Sequence, residues 1–107
     1  MNKLTWEASN PVKVHHVIFD LPKPKSQTTD ILYWLINSKA GISERDFQYN
    51  GFRSRISELR EYLNIKETLV SFKNKFKHKG QFKRHWITDF EKPKAIRLYQ
   101  KLIKLSS

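Results

Sequence analysis

The apolar residues of this chain recur in two rhythms, one helical and one alternating, and the rhythm changes several times along its length. Val12 and Val14 alternate with Lys13 and His15 before Val17, Ile18 and Phe19 run together, which predicts a strand over 12–19. Leu21-Pro22-Lys23-Pro24-Lys25 follows, and its closely spaced prolines predict a stiff connector without regular structure. Ile31, Leu32, Leu35 and Ile36 then repeat at helical spacing, flanked by Tyr33 and Trp34. This first helix should begin between Ser26 and Thr29, with Gly41 as its left-handed stop. Ser43-Glu44-Arg45-Asp46 opens a second helix, with Ser43 as cap, Asp46 reaching back and Ile42 stapled onto Phe47. Tyr49-Asn50-Gly51 should end it within about two turns.

Phe52, Ile56, Leu59 and Leu63 define the apolar stripe of a third helix, with Asn50 as its expected cap. Its opposite side carries Asn50, Ser54, Ser57 and Glu61, with Arg53 and Arg60 on one shoulder and Arg55 on the other. The period then falls to two. Val70, Phe72, Asn74 and Phe76 alternate with Ser71, Lys73, Lys75 and Lys77, which predicts a strand with an apolar and a basic face. His78-Lys79-Gly80-Gln81 reads as a turn, and 82–87 as the returning strand, with Phe82, Arg84 and Trp86 on one side. Phe72 and Trp86 are expected in the core. A closing helix runs to Leu105 through Ala95, Leu98 and Leu102, widened by Ile96, Tyr99 and Ile103. Thr88 and Glu91 could box its start, but Pro93 places the first regular turn close to itself.

Composition narrows the setting. A hydrophobic content of 38% in 107 residues supports one small core. The absence of cysteine excludes disulfides and Cys-ligated metals. No apolar run has the length of a membrane span, and the first residues lack a signal-peptide core, so a cytoplasmic protein without membrane association is expected. The net charge is +11 and it is unevenly spread. Residues 1–65 hold nine Lys or Arg against seven Asp or Glu, and residues 66–107 hold twelve against three. Within 66–88 seven basic residues accompany a single acid. Such self-repulsion implies a polyanionic partner.

The element order is strand, helix, short helix, helix, hairpin, helix. The expected fold is therefore α+β, a winged helix-turn-helix of three helices, a β-hairpin wing and a C-terminal helix, over 26–107. Residues 1–25 form an N-terminal extension. The stretch GFRSRISELREYLNI, Gly51 to Ile65, resembles the recognition helix of small winged helix-turn-helix proteins of phages, prophages and mobile elements. FKRHWITDFEKPKAIRLYQKL resembles their second wing strand and closing helix. The resemblance covers 27–104 and is strongest at Arg55-Ile56-Ser57-Glu58-Leu59-Arg60. The 12–19 segment and its connector lie outside that pattern, and Pro93 perturbs it. The resemblance implies a DNA-binding regulator or accessory protein and does not imply an enzyme.

A helix of this kind fits the major groove of duplex DNA. Asn50, Arg53, Ser54 and Ser57 are the candidates for reading bases. Arg55, Arg60, Lys73, Lys75, Lys77, Lys79, Lys83 and Arg84 are the candidates for gripping the sugar–phosphate backbone. The bland alternative has the arginines pairing with Glu58 and Glu61, and the lysines guarding an exposed hairpin against aggregation. His15, His16, His78 and His85 do not have metal-ligand spacing, since adjacent histidines on a strand point to opposite faces. No carboxylate cluster, glycine-rich phosphate loop or nucleophile–base pair stands out, so no catalytic residue, metal or cofactor is expected. Double-stranded DNA is the expected partner, with nucleoid association as a corollary. Two alternatives stay open: a protein-interaction module of a replication, recombination or defence complex, and a binder of structured RNA. Homodimerisation through the N-terminal strand or the last helix would pair two half-sites.

Overall fold

The computed structural model describes residues 19–47, 50–73 and 79–106, with the backbone alone at Phe72, Lys73 and Lys79. Among the described residues the architecture is α+β: three α-helices and an antiparallel two-stranded hairpin. Helix α1 spans Gln27–Asn37. Its start is fixed by Ser26, whose Oγ accepts from the Thr29 N–H at 3.1 Å while Thr29 Oγ1 accepts from the Ser26 N–H at 2.9 Å. Ile31, Leu32, Leu35 and Ile36 are at most 1% exposed, and Trp34 is buried with them. α1 is buried on nearly every side because both later helices pack on it.

Asn37, four residues before Gly41, ends α1, and Ser38 caps it in an extended conformation. The expected stop at Gly41 is therefore corrected. Gly41 does have a positive φ of 88°, but for a different reason. A Cβ there would stand 2.9 Å from the His85 carbonyl oxygen and 3.3 Å from the Trp86 Cβ. The glycine lets the chain leaving α1 pass close to the hairpin. Ile42 then forms a single antiparallel bridge to His85.

The second helix is reduced to a 3-10 turn over Glu44–Asp46. The Ser43–Asp46 relationship holds, with the Ser43 N–H donating to Asp46 Oδ2 at 2.8 Å, and Ile42 and Phe47 are both buried. Helix α2, Phe52–Arg60, is capped by Gly51 at φ 93°, not by Asn50, so no side chain serves the first N–H groups. Its stripe is as expected: Phe52, Ile56, Leu59 and Leu63 are 1–3% exposed.

Strand β1, Lys66–Lys73, pairs with β2, Lys79–Trp86, in a register from Lys66 opposite Trp86 to Lys73 opposite Lys79. β1 thus begins four residues before the alternation does. Lys79, Gly80 and Gln81 are strand residues, so the turn expected there is corrected; residues 74–78, which include Lys75, Lys77 and His78, lie outside the described residues. On one face stand Glu67, Leu69, Lys83 and His85, beside α2. On the other stand Thr68, Val70, Phe82, Arg84 and Trp86, none of them in the core. Trp86 is half-buried, and its Nε1 donates to Thr68 Oγ1 at 2.9 Å, which corrects its expected core position. A two-stranded hairpin has one face to bury, and here Ile65, His85 and Ile87 occupy it.

Helix α3, Lys92–Leu105, carries Pro93 in its first turn, where no N–H is needed. The Glu91 N–H donates to Thr88 Oγ1 at 3.2 Å. The buried line is Ala95, Tyr99 and Ile103, so the stripe is centred one residue away from Leu98 and Leu102, which are half-buried. Leu105 is 72% exposed. The connector before α1 is irregular, yet it is tied down. Phe19 and Leu21 pack on the core, the Phe19 N–H donates to Asn37 Oδ1 at 2.9 Å, and the Tyr99 hydroxyl donates to the Pro22 carbonyl. Phe19 sits in a bend and is not a strand residue; 12–18 lie outside the described residues.

Candidate functional site

Helix α2 and the inner face of the hairpin border a groove of about 630 Å³. Arg53, Ser57 and Arg60 line it from α2, at the i, i+4 and i+7 positions that share one side of a helix. Glu67 and Leu69 line it from β1, Gln81, Lys83 and His85 from the same face of β2, and Glu44 and Arg45 from the 3-10 turn, while Phe82 reaches its edge from the hairpin's other face. Phe52 and Ile56 form its apolar floor. The shoulder read from the sequence as Arg53 and Arg60 is thus the side that meets the hairpin.

Five of the six charged side chains in the groove, all but Arg45, fall into two groups. At one end Arg53 Nε lies 3.3 Å from Glu44 Oε1, with the arginine side chain 87% exposed. At the other end a single carboxylate serves two cations. Glu67 Oε1 accepts from Arg60 at 2.8 Å, and Glu67 Oε2 lies 3.2 Å from Lys83 Nζ. Hydrogen bonds from Arg60 and then Lys83 hold the Glu67 carboxyl below the usual carboxylate range. Two of the expected backbone-gripping residues are therefore joined through an acid that the sequence reading did not single out.

His85 stands beneath this triad, directly opposite Glu67 in the register. Its ring meets Phe52 edge to face at 5.5 Å, and its Nδ1 is buried without a hydrogen-bond partner. Burial first, then the nearby Arg60 charge, lowers its pKa from the ordinary value. The ring is neutral at neutral pH.

The remaining candidates divide. Asn50 and Ser54 are exposed and do not line the groove, and Arg55 pairs with Glu58 on the other shoulder of α2. Arg84 is on the hairpin's outer face, where its guanidinium donates to the Gly41 carbonyl at 3.1 Å and lies 5.5 Å from the Phe82 ring centre. Arg45 approaches the same ring at 4.9 Å. Lys73 and Lys79 form the last described pair of the register. Among the described residues no group of three or more His, Asp or Glu gathers as metal ligands, and no helix is long and apolar enough to cross a membrane. Sequence reasoning missed Glu67, Arg45, Phe82 and His85 as groove residues. Only Glu67 carried a signal, as the lone acid of 66–88. No family model matches the chain, and neither does any curated protein or solved structure.

Proposed function

We propose that this chain binds double-stranded DNA as a winged-helix protein, as a sequence-reading regulator or an accessory factor of a mobile element. The observation that carries the reading is the pairing of α2's solvent side with the basic hairpin across one groove, with Arg53, Ser57, Arg60 and Lys83 on its walls. At about 1.5 Å per residue, the nine residues of α2 are about as long as the major groove is wide. Small polar side chains at Asn50, Ser54 and Ser57 allow that helix to approach base edges, and Arg53 and Arg55 flank them. The hairpin lysines would lie along the neighbouring phosphates and supply affinity through counterion release.

The test is selection from a pool of random duplex DNA at near-physiological salt, followed by sequencing of the retained fraction. A recovered motif supports a specific reader, and a palindromic one supports a dimer. Retention without a motif supports binding through the backbone alone. No retention even at low salt overturns the reading. A second reading, an interaction module for another protein, draws on Leu69, which is 57% exposed within the groove. Binding that survives charge reversal of the lysines would favour it.

A further inference from the structure

The groove contains an arrangement that the exposed helix face alone does not explain. Twelve basic residues against three acids make 66–107 strongly cationic, and within 66–88 Glu67 is the one acid. Its carboxylate spends both oxygens on basic groups from two different elements, Arg60 at the end of α2 and Lys83 on β2. Its side chain is 37% exposed, and among the described residues its carboxylate is held by side chains, those of Arg60 and Lys83. The interaction therefore contributes little to holding β1 in place, because exposed ion pairs are weak. What it does is hold the two cations converged on a single anionic group inside the groove.

We propose that Glu67 occupies a phosphodiester subsite, and that its carboxylate stands where a backbone phosphate docks between Arg60 and Lys83. The inference rests on the nucleic-acid reading given above. A guanidinium and an ammonium that grip the two oxygens of a carboxylate offer the same donors to the two non-bridging oxygens of a phosphodiester. Arg53 and Ser57, the candidates for base contact, continue the same wall beyond this subsite. In the free protein the carboxylate neutralises the subsite, so a passing polyanion gains little there. On a matched duplex the carboxylate swings out and the two cations engage. Glu67 then acts as a specificity device: it lowers affinity for any duplex, and the lost affinity is recovered only where the other contacts hold the backbone in register.

The experiment compares Glu67→Gln with Asp89→Asn, which makes the same change in net charge in the turn before α3. Binding of a random-sequence duplex is followed by anisotropy over a range of salt. In a second arm, inorganic pyrophosphate is titrated while the Arg60 side-chain resonances are observed. The expected result for E67Q is a gain of at least about fivefold in non-specific affinity, with a salt slope steeper by about 0.9, the value for one more phosphate engaged. D89N should show neither, and E67Q should add nothing in a chain that also carries R60Q and K83Q. Pyrophosphate should shift the Arg60 resonances in E67Q at lower concentration than in the unaltered chain. If E67Q folds poorly, E67T, which keeps a strand-favouring residue, carries the same comparison. A gain equal to that of D89N, or one that persists without Arg60 and Lys83, overturns the proposal and leaves duplex binding intact. Pyrophosphate binding with no duplex binding by any variant overturns the DNA reading and leaves the subsite standing. No response to either probe overturns both.

Discussion

His85 and Ile42 hold each other through both of their main-chain groups: the His85 N–H donates to the Ile42 carbonyl at 2.6 Å, and the Ile42 N–H donates to the His85 carbonyl at 2.8 Å. This pair fixes the hairpin to the segment that leaves α1, and so fixes the hairpin side of the groove relative to α2.

The same histidine makes stability depend on pH. Its folded pKa lies below the ordinary 6.5, because burial and then the Arg60 charge disfavour the imidazolium. The unfolded chain therefore binds the proton first. Stability from this group is complete above about 6.5 and falls as pH drops towards the folded pKa. The urea midpoint should fall between about pH 7 and pH 5, and His85→Phe should flatten that part of the profile. An unchanged slope in the variant would mean that His85 is not the titrating group.

Gly41→Ala should destabilise the fold by about 2 kcal/mol or more, since it adds left-handed strain to a contact with the His85 carbonyl. Amide exchange at Ile42 and His85 should quicken more than exchange at Leu35 and Ile36. Uniform quickening would show that the bridge opens only with global unfolding.

Neutralising Lys73, Lys75, Lys77 or Lys79 singly should weaken binding to all duplexes alike and lower the salt slope by about 0.9 for each phosphate lost. Arg53→Ala or Ser57→Ala should instead change which sequences are retained, by about 1–3 kcal/mol where a bidentate base contact is lost. Normal binding by the lysine variants would remove the hairpin from the interface.

Arg84→Ala should cost stability more than binding. Its guanidinium is already engaged by the Gly41 carbonyl and the Phe82 ring. Parallel measurement of urea midpoint and duplex affinity separates the two, and a large loss of affinity at unchanged stability would return Arg84 to the contact surface.

Tyr99→Phe should cost about 1 kcal/mol by removing the hydroxyl that donates to Pro22. Burial also pushes that phenol's pKa well above its ordinary value, so the bond persists at alkaline pH. Duplex binding should be unaffected.

The helices were legible because their signals are local. Phe52, Ile56, Leu59 and Leu63 repeat at helical spacing and all are buried, and Ser26 and Thr29 reciprocate within one turn. The beginning of β1 was not legible. Lys66, Glu67, Thr68 and Leu69 are all exposed, so no alternation marks them, and their pairing is set by 83–86. Gly41 was read correctly as left-handed and misread as a helix stop, because the requirement comes from a carbonyl 44 residues further along, at His85. Arg53, Ser57 and Arg60 stood out in the sequence as contact candidates, but their facing the hairpin across a groove did not. The groove's other wall depends on register, and a lone acid among basic residues does not announce which cations it will join.

The Ile42–His85 bridge also has a consequence for how the chain is laid out. It closes a loop whose interior holds the 3-10 turn, α2 and nearly all of the hairpin, while α1 and α3 remain outside it. The groove is thus a single excursion of the chain, carried between two helices that do not line it. Lengthening a closed loop costs only about 0.6 kcal/mol for each doubling. Residues inserted within this excursion would lengthen it at small cost to the two-helix base, so the groove can be remodelled while its support stays unchanged.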